Sequence, residues 1–344
     1  MDADRWSTIA GFVGAVIVLS ALVTVVGVED VLDALGSARP GVLVLVLLVA
    51  VLWLSAWGLA LWTVLSTLGT PMSAPRSILV FTAAVFSNNV TPFGQAGGEP
   101  LSALLISQAA DSEYETGLAA IASVDTLHFV PSLGLAIGGF TFLAAGAARL
   151  GRNLLFAATA VVVLATALPV GAYLGWRYRY ELEATVVRAL TPIIKVVGRV
   201  VPGRSEPAGH AVADRIEGFF TAIDRVAGDR RALVLSMGFS ALGWLALSGA
   251  LWLSLYALGA TVPVSAVVLV VPVAAIAGVT PLPGGSGAIE TVLVTLLVPT
   301  TGLAANVALS GVLVYRGATY LLPIVIGGGV ASILGADRAR DAPE

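Results

Sequence analysis

A similar sequence motif occurs twice in this hydrophobic chain. Each copy places polar and ionisable side chains where an apolar stretch is interrupted. The first copy ends at Glu99 and the second at Glu290, each after a Pro- and Gly-rich turn between short apolar segments. A carboxylate in the first turn of a helix can cap free backbone N–H groups. A carboxylate at membrane depth is also a candidate for binding a substrate or a coupling ion. Both roles stay open. Glu99 is the stronger binding candidate because polar residues precede it, namely Asn88, Asn89, Thr91 and Gln95.

The glycines of the two turns predict an anion site. Glycine-rich turns that open a helix present backbone N–H donors, which bind phosphate and other anions. A phospholipid or polyprenyl-phosphate headgroup fits that environment. Arg316, in the last apolar run, would offset the repulsion between such an anion and the nearby carboxylates; alternatively, it snorkels or pairs with Glu290 or Glu99. The turn residues assigned to the site are Gly97, Gly98, Gly284, Gly285 and Ser286.

Asp125 and His128 form a second candidate group. They lie three residues apart in an apolar run, so they share one face of a helix. Such a pair could hold one proton near neutral pH, or it could stabilise helix packing through hydrogen bonds. With two histidines and no cysteine, we expect no metal site. The sequence has no nucleophile–base arrangement and no nucleotide-binding loop in a strand context, so we expect no enzyme, no cofactor and no nucleic-acid partner.

The composition places these residues in a membrane protein. Hydrophobic residues make up 58% of the chain and charged residues 11%, with a mean hydropathy of +0.95. A soluble domain carries about 25% charged residues. Asp2 and Asp4 argue against a secretory signal, so we expect a retained first span. Six apolar runs are long enough to cross a hydrocarbon core of ~30 Å, namely 9–28, 42–68, 116–148, 154–175, 232–258 and 307–334.

The basic residues predict the orientation of the chain. Ten of the 18 Lys and Arg residues lie between Arg177 and Arg231, and loops rich in Lys and Arg stay in the cytoplasm. We therefore expect a multi-pass protein of the cell membrane with both termini in the cytoplasm. Within this loop, 181–200 is amphipathic and predicts a helix on the inner membrane surface, and 214–231 predicts a second helix.

Two pairs of short apolar segments predict re-entrant hairpins. Segments 77–91 and 100–110 form the first pair, and 264–280 and 288–298 form the second. A helix of 15 residues is only about 22 Å long, so none of these segments spans a bilayer comfortably alone. Pro92 ends the first arm of one pair and Pro281 that of the other, and the glycines that follow allow the chain to reverse. Ordinary surface loops between eight or ten spans remain the alternative.

The orientation makes the two hairpins enter from opposite sides, which is an inverted-topology repeat with both tips near the midplane. The predicted fold is an all-α polytopic membrane protein with about six spanning helices and two re-entrant helical hairpins. The single domain 1–344 divides into a first span and outer loop (1–40), a first repeat (41–148) with hairpin 77–110, a connecting span (149–176), a cytoplasmic loop (177–231), a second repeat (232–335) with hairpin 264–298, and a cytoplasmic tail (336–344).

Three phrases give the chain a resemblance to a known family. They are NNVTPFGQAGGE at 88–99, PLPGGSGAIE at 281–290 and YRGATYLLP at 315–323. The chain resembles the flippase-like transmembrane domain of lysylphosphatidylglycerol synthases and its stand-alone relatives in bacteria and archaea. The resemblance implies an integral membrane protein that moves, or helps to move, lipid or lipid-linked headgroups between leaflets. Only a few polar residues follow Leu334, so we do not expect the soluble aminoacyltransferase domain. Many relatives carry an Arg–Asp pair at the place of Asp125 and His128.

Three functions follow from these features. The leading hypothesis is a translocator of phospholipid or polyprenyl-phosphate-linked headgroups, with the headgroup held between the hairpin tips. The second is a non-transporting membrane partner that anchors a glycosyltransferase or a lipid-modifying enzyme. The third is a proton-coupled carrier of a small solute. Intramembrane Glu99, Glu290 and Arg316 favour transport, because a scaffold needs no polar core.

Overall fold

A computed structural model describes residues 28–70, 72–146 and 209–341, together with Thr159 and Arg177. In these ranges the chain forms helices joined by short turns and contains no strand, which confirms the all-α prediction. The helices are α1 (Val28–Gly36), α2 (Pro40–Thr67), α3 (Ala74–Val90), α4 (Gln95–Ala110), α5 (Tyr114–Gly146), α6 (Gly209–Gly228), α7 (Arg230–Ala257), α8 (Val264–Ala275), α9 (Ala288–Thr301), α10 (Ala305–Arg316) and α11 (Leu322–Asp341). Helix α10 passes into α11 through a π-helical segment, Gly317–Leu321.

Four of the described helices are long and apolar enough to cross a membrane. They are Pro40–Thr67, Tyr114–Ala145, Arg230–Ala257 and Ala305–Leu334, each close to a predicted run. The predicted spans 9–28 and 154–175 lie almost wholly outside the described residues, as does the amphipathic segment 181–200. The predicted helix at 214–231 corresponds to α6. It ends before Asp229, whose carboxylate caps α7 by accepting hydrogen bonds from the N–H groups of Arg231 and Ala232.

The two pairs of short segments are pairs of packed helices. Helix α3 packs on α4, and α8 packs on α9. Helix α3 ends at Val90, directly before the Thr91-Pro92 step, as the proline predicts. Helix α8 ends at Ala275 and continues as a 3₁₀ segment, Ile276–Val279, before Pro281. The hairpin shape follows from these breaks, while entry from opposite sides of a bilayer stays a prediction.

The first half of the described chain (28–146) and the second half (209–341) pack on each other in a reciprocal way. Helix α3 of the first hairpin packs on α11, the last span of the second half, and α8 of the second hairpin packs on α5, the last span of the first half. Each contact uses a glycine on the span. A Cβ at Gly139 would lie 2.8 Å from the Ser265 carbonyl oxygen, and one at Gly327 would collide with the Thr82 carbonyl. Small residues of this kind let helices associate closely in lipid.

Candidate functional site

The tips of the two hairpins contact each other. The first tip reverses at Phe93 and Gly94, both with positive φ, and the second at Gly284, Gly285 and Gly287. A Cβ at Gly94 would lie 2.6 Å from the carbonyl oxygen of Gly278 in the second hairpin. A Cβ at Gly284 would lie 2.9 Å from Oδ1 of Asn89 in the first hairpin. Each tip therefore depends on a glycine where the other tip approaches.

In the second hairpin, Glu290 is both a cap and an ion-pair partner. Its Oε2 accepts a hydrogen bond from the N–H of Gly287 (2.5 Å), and its Oε1 lies 2.6 Å from Nε of Arg316. Arg316 also donates from Nη2 to the Gly284 carbonyl (3.1 Å). The Glu290 side chain is 4% exposed and that of Arg316 13%. This pair is one of the two that the sequence predicted for Arg316.

The π-helical segment connects the last span to both tips. Tyr320 donates a hydrogen bond from its hydroxyl to the carbonyl of Asn89 (3.1 Å), and the Asn89 amide donates to the Tyr320 carbonyl (3.4 Å). The Arg316 guanidinium lies over the Tyr320 ring, 4.8 Å from its centroid. Arg316 holds the second tip and Tyr320 the first. Single π turns inside α-helices are frequent at functional sites.

Glu99 does not occupy the place of Glu290, which corrects the sequence interpretation. Helix α4 begins at Gln95, so Glu99 stands one turn inside the helix rather than in its first turn. The reason is that Gly97 and Gly98 are helical residues. A Cβ at Gly97 would collide with the Pro92 carbonyl in the turn, and one at Gly98 would collide with Asn88 at the end of α3. These glycines therefore serve close packing, and the chain reverses earlier.

A cavity of about 440 Å³ lies beside the meeting point of the tips. Its walls are mostly apolar and come from both hairpins and from α2, α5, α7 and α10. The predicted site residues in its lining are Asn88, Asn89, Gln95, Asp125, His128, Gly284 and Arg316. The lining does not include Thr91, Gly97, Gly98, Glu99, Gly285, Ser286 or Glu290. The structure thus brings half of the predicted residues to the lining of one cavity, and the other half are not part of that lining.

Several buried polar atoms around this cavity have no hydrogen-bond partner in the described part of the chain. They are Trp53 Nε1, Asn88 Oδ1, Asp125 Oδ2 and His128 Nε2. Leaving a buried polar group unpaired costs about 1–3 kcal/mol each. Such groups in a cavity between two hairpins are candidate contacts for a ligand.

Aromatic side chains position His128, and the sequence interpretation missed them. The His128 ring stacks on Trp57 with ring centroids 4.1 Å apart, and its Nδ1 lies 3.0 Å from Oγ of Ser240. Trp244 donates from Nε1 to the His128 carbonyl (2.9 Å). The spacing of Trp53 and Trp57, one helical turn apart, was the available signal.

Asp125 and His128 share the cavity wall, but no hydrogen bond joins them in the described structure. His128 uses Nδ1 toward Ser240 and leaves Nε2 without a partner, while the Gln95 amide lies next to the Asp125 carboxyl. Glu99 is within electrostatic reach of Asp125 from α4. The two residues are therefore separate sites on one helix face rather than one hydrogen-bonded pair.

Comparison with known proteins gives the chain its family. Residues 8–327 match the model of the lysylphosphatidylglycerol synthase TM region. Two similar proteins are UPF0104 membrane proteins of Methanothermobacter thermautotrophicus. One is 26% identical over 330 residues, covering 94% of this chain and 92% of the relative. The other is 24% identical over 309 residues, covering 88% of each. The chain is therefore a multi-pass membrane protein that belongs to the lysylphosphatidylglycerol synthase TM region family.

Proposed function

We propose that this protein translocates phospholipid or polyprenyl-phosphate-linked headgroups between the leaflets of the cell membrane. The observation that carries the proposal is the cavity at the two hairpin tips, with unpartnered polar atoms inside walls that are otherwise apolar. In repeat-built transporters, broken hydrophobic segments of this kind mark the substrate site.

The unused hydrogen-bond donors of Arg316 support a substrate that carries an anionic group. A guanidinium has five N–H donors, and the hydrogen bonds to Glu290 and Gly284 use two of them. Because the side chain also lines the cavity, the remaining donors are available to a phosphate. The Glu290 carboxylate fixes the orientation of the guanidinium.

Apolar side chains at the cavity edge support a lipid rather than a water-soluble solute. Phe129, Ile276 and Val279 line the cavity, and they are also 44%, 42% and 67% exposed. They therefore lie where the cavity meets the surface of the protein. A headgroup inside with acyl or prenyl chains passing over these residues would leave the chains in the bilayer.

The remaining parts of the proposal concern mechanism and setting. One half rocks against the other at the glycine contacts of the tips, and both termini face the cytoplasm. We assign no enzymatic reaction to the chain. A glycosyltransferase or lipid-modifying enzyme is a partner that supplies or uses the lipid. A protein that only anchors such an enzyme would not need buried unpartnered polar atoms around a cavity.

Reconstituted vesicles test this function. Fluorescent lipids with anionic, zwitterionic and polyprenyl-phosphate headgroups are placed in one leaflet, and their exchange is followed with an impermeant quencher, with and without proton or sodium gradients. We expect acceleration for at least one headgroup class. Ala275→Phe, at the cavity wall, should remove it, whereas the matched variant Ala305→Phe, at an exposed alanine away from the cavity, should not. No acceleration for any class would overturn the proposal.

A further inference from the structure

The carboxyl group of Asp125 lies in the cavity wall without a compensating charge among the described residues. The residue is 9% exposed, and Oδ2 has no hydrogen-bond partner in the described part of the chain. An isolated carboxylate is costly to bury, and the cost is removed when a cation or a proton joins it.

The surroundings of Asp125 offer oxygen atoms. The Gln95 side chain lies next to it from the start of α4, and Asn88 lines the same cavity with a buried Oδ1 that has no partner. Asn88 belongs to the last turn of α3, where the helix dipole is negative. In repeat-built transporters, the C-terminal ends of half-helices coordinate sodium ions or protons.

The two halves of the chain differ in charge at matching places. Asp125 is the eleventh residue after the start of α5, and Arg316 is the eleventh after the start of α10. Arg316 faces Glu290 and forms an ion pair, whereas Asp125 faces Gln95 with Glu99 within electrostatic reach. At this position the second half of the chain therefore carries a basic residue, Arg316, whereas the first half carries an acidic residue, Asp125.

The other charged groups near Asp125 in the described residues do not neutralise its carboxylate. The acidic and basic side chains of the described cavity lining are Asp125, His128 and Arg316. Arg316 is paired with Glu290, and His128 interacts with Ser240 on the neighbouring helix. Helices α2 and α8, which also pack on α5, have no ionisable side chain. The charges of α7 lie in its first turn, at Arg230 and Arg231. On α6, the charged residues whose side chains the structure describes are Asp224 and Arg225, which are exposed.

We infer that Asp125, with Gln95 and Asn88, forms a binding site for one monovalent cation, a sodium ion or a proton. A single carboxylate with neutral amides matches one positive charge. This inference deepens the proposed function, because such a site would couple headgroup movement to an ion gradient. Its use in coupling rests on the proposed function, but the binding itself can be measured without transport.

Thermal unfolding of the purified protein in detergent tests the site. Samples in NaCl are compared with samples in choline chloride of equal ionic strength, each across pH 5.5 to 8.5. A sodium site predicts a Tm that rises by about 2–5 °C with saturating NaCl and not with choline. A proton site predicts no sodium response and a Tm that rises as the pH falls, because the folded protein then binds the extra proton.

Asp125→Asn should remove whichever response the wild type shows, and Asp111→Asn is the matched control because Asp111 is exposed in the turn after α4. Gln95→Leu should weaken the response several-fold while leaving Asp125 in place. Equal sodium and pH responses in wild type and Asp125→Asn would overturn the inference. A cation response without lipid exchange in vesicles would overturn the proposed function alone. Lipid exchange without a response that depends on Asp125 would overturn this inference alone.

Discussion

The two hairpins carry related sequences, yet their acidic residues are in different environments. In the second hairpin both oxygens of Glu290 are used, by the Gly287 N–H group and by Arg316. In the first hairpin the buried Oδ1 of Asn88 has no partner in the described residues, and Glu99 is only partly buried. Similar sequence motifs thus have different local interactions. The carboxylate of the second hairpin is held by its own Gly287 and by Arg316 of the last span, whereas the buried Asn88 oxygen of the first hairpin has no partner among the described residues.

Cysteine labelling tests whether the two hairpins enter the membrane from opposite sides. The charge-derived orientation puts the turn after the first hairpin in the cytoplasm and the turn after the second outside. Because the chain has no cysteine, Glu113→Cys and Ala304→Cys, both at exposed positions, report on these turns separately. We expect an impermeant maleimide to label the Ala304 variant in intact cells and the Glu113 variant only after permeabilisation. Labelling of both from the same side would contradict the inverted repeat.

Removal of a carboxylate from each hairpin should give unequal losses of stability. Glu290→Gln leaves the guanidinium of Arg316 buried and unpaired, which costs about 3–5 kcal/mol. Glu99→Gln removes no ion pair, so we expect a change within about 0.5 kcal/mol. Thermal unfolding in detergent compares the two variants.

A double variant separates charge from packing in this experiment. Glu290→Leu combined with Arg316→Met replaces the ion pair by apolar side chains and should recover most of the stability lost in Glu290→Gln. Equal stability losses for the Glu99 and Glu290 variants would show that the two hairpins do not differ as the structure indicates.

The contact between the tips should depend on Gly284. A Cβ in Gly284→Ala would lie 2.6 Å from the Tyr320 ring, and the residue also has a φ of 55°. We expect a loss of about 2–4 kcal/mol in the free energy of unfolding. Gly302→Ala is the control, because Gly302 has a φ of 73° with nothing within 4 Å, so only backbone strain of about 1 kcal/mol remains. Similar losses in both variants would assign the effect to strain alone.

Glu99→Gln should have a moderate effect on transport. Glu99 does not line the cavity and acts on Asp125 through its charge, so we expect lipid exchange to slow by about tenfold, equal to about 1.4 kcal/mol. Glu113→Gln, at an exposed glutamate in the next turn, serves as the control. Wild-type exchange in Glu99→Gln would remove Glu99 from the mechanism and leave Asp125 as the acidic residue of the first half.

The sequence was informative where local chemistry decides structure. The proline after Thr91 predicted the end of α3, and the lone arginine of the last run predicted a carboxylate partner. The predicted start of α4 was wrong because Gly97 packs closely against the turn and Gly98 against the end of α3, and a linear pattern cannot distinguish such packing glycines from turn glycines. The Trp57–His128 stack and the Gln95–Asp125 proximity join distant segments, so they depend on the tertiary arrangement.

The size of the cavity limits what it can enclose. A volume of about 440 Å³ equals that of roughly 15 water molecules, since each occupies about 30 Å³ in the liquid. That space accommodates a phosphate with a small polar substituent, and it is at the lower end of the volumes that hold drug-sized ligands. A lipid-linked oligosaccharide would have to leave most of its sugars outside. The discrimination among headgroups should therefore lie in the few atoms next to the phosphate.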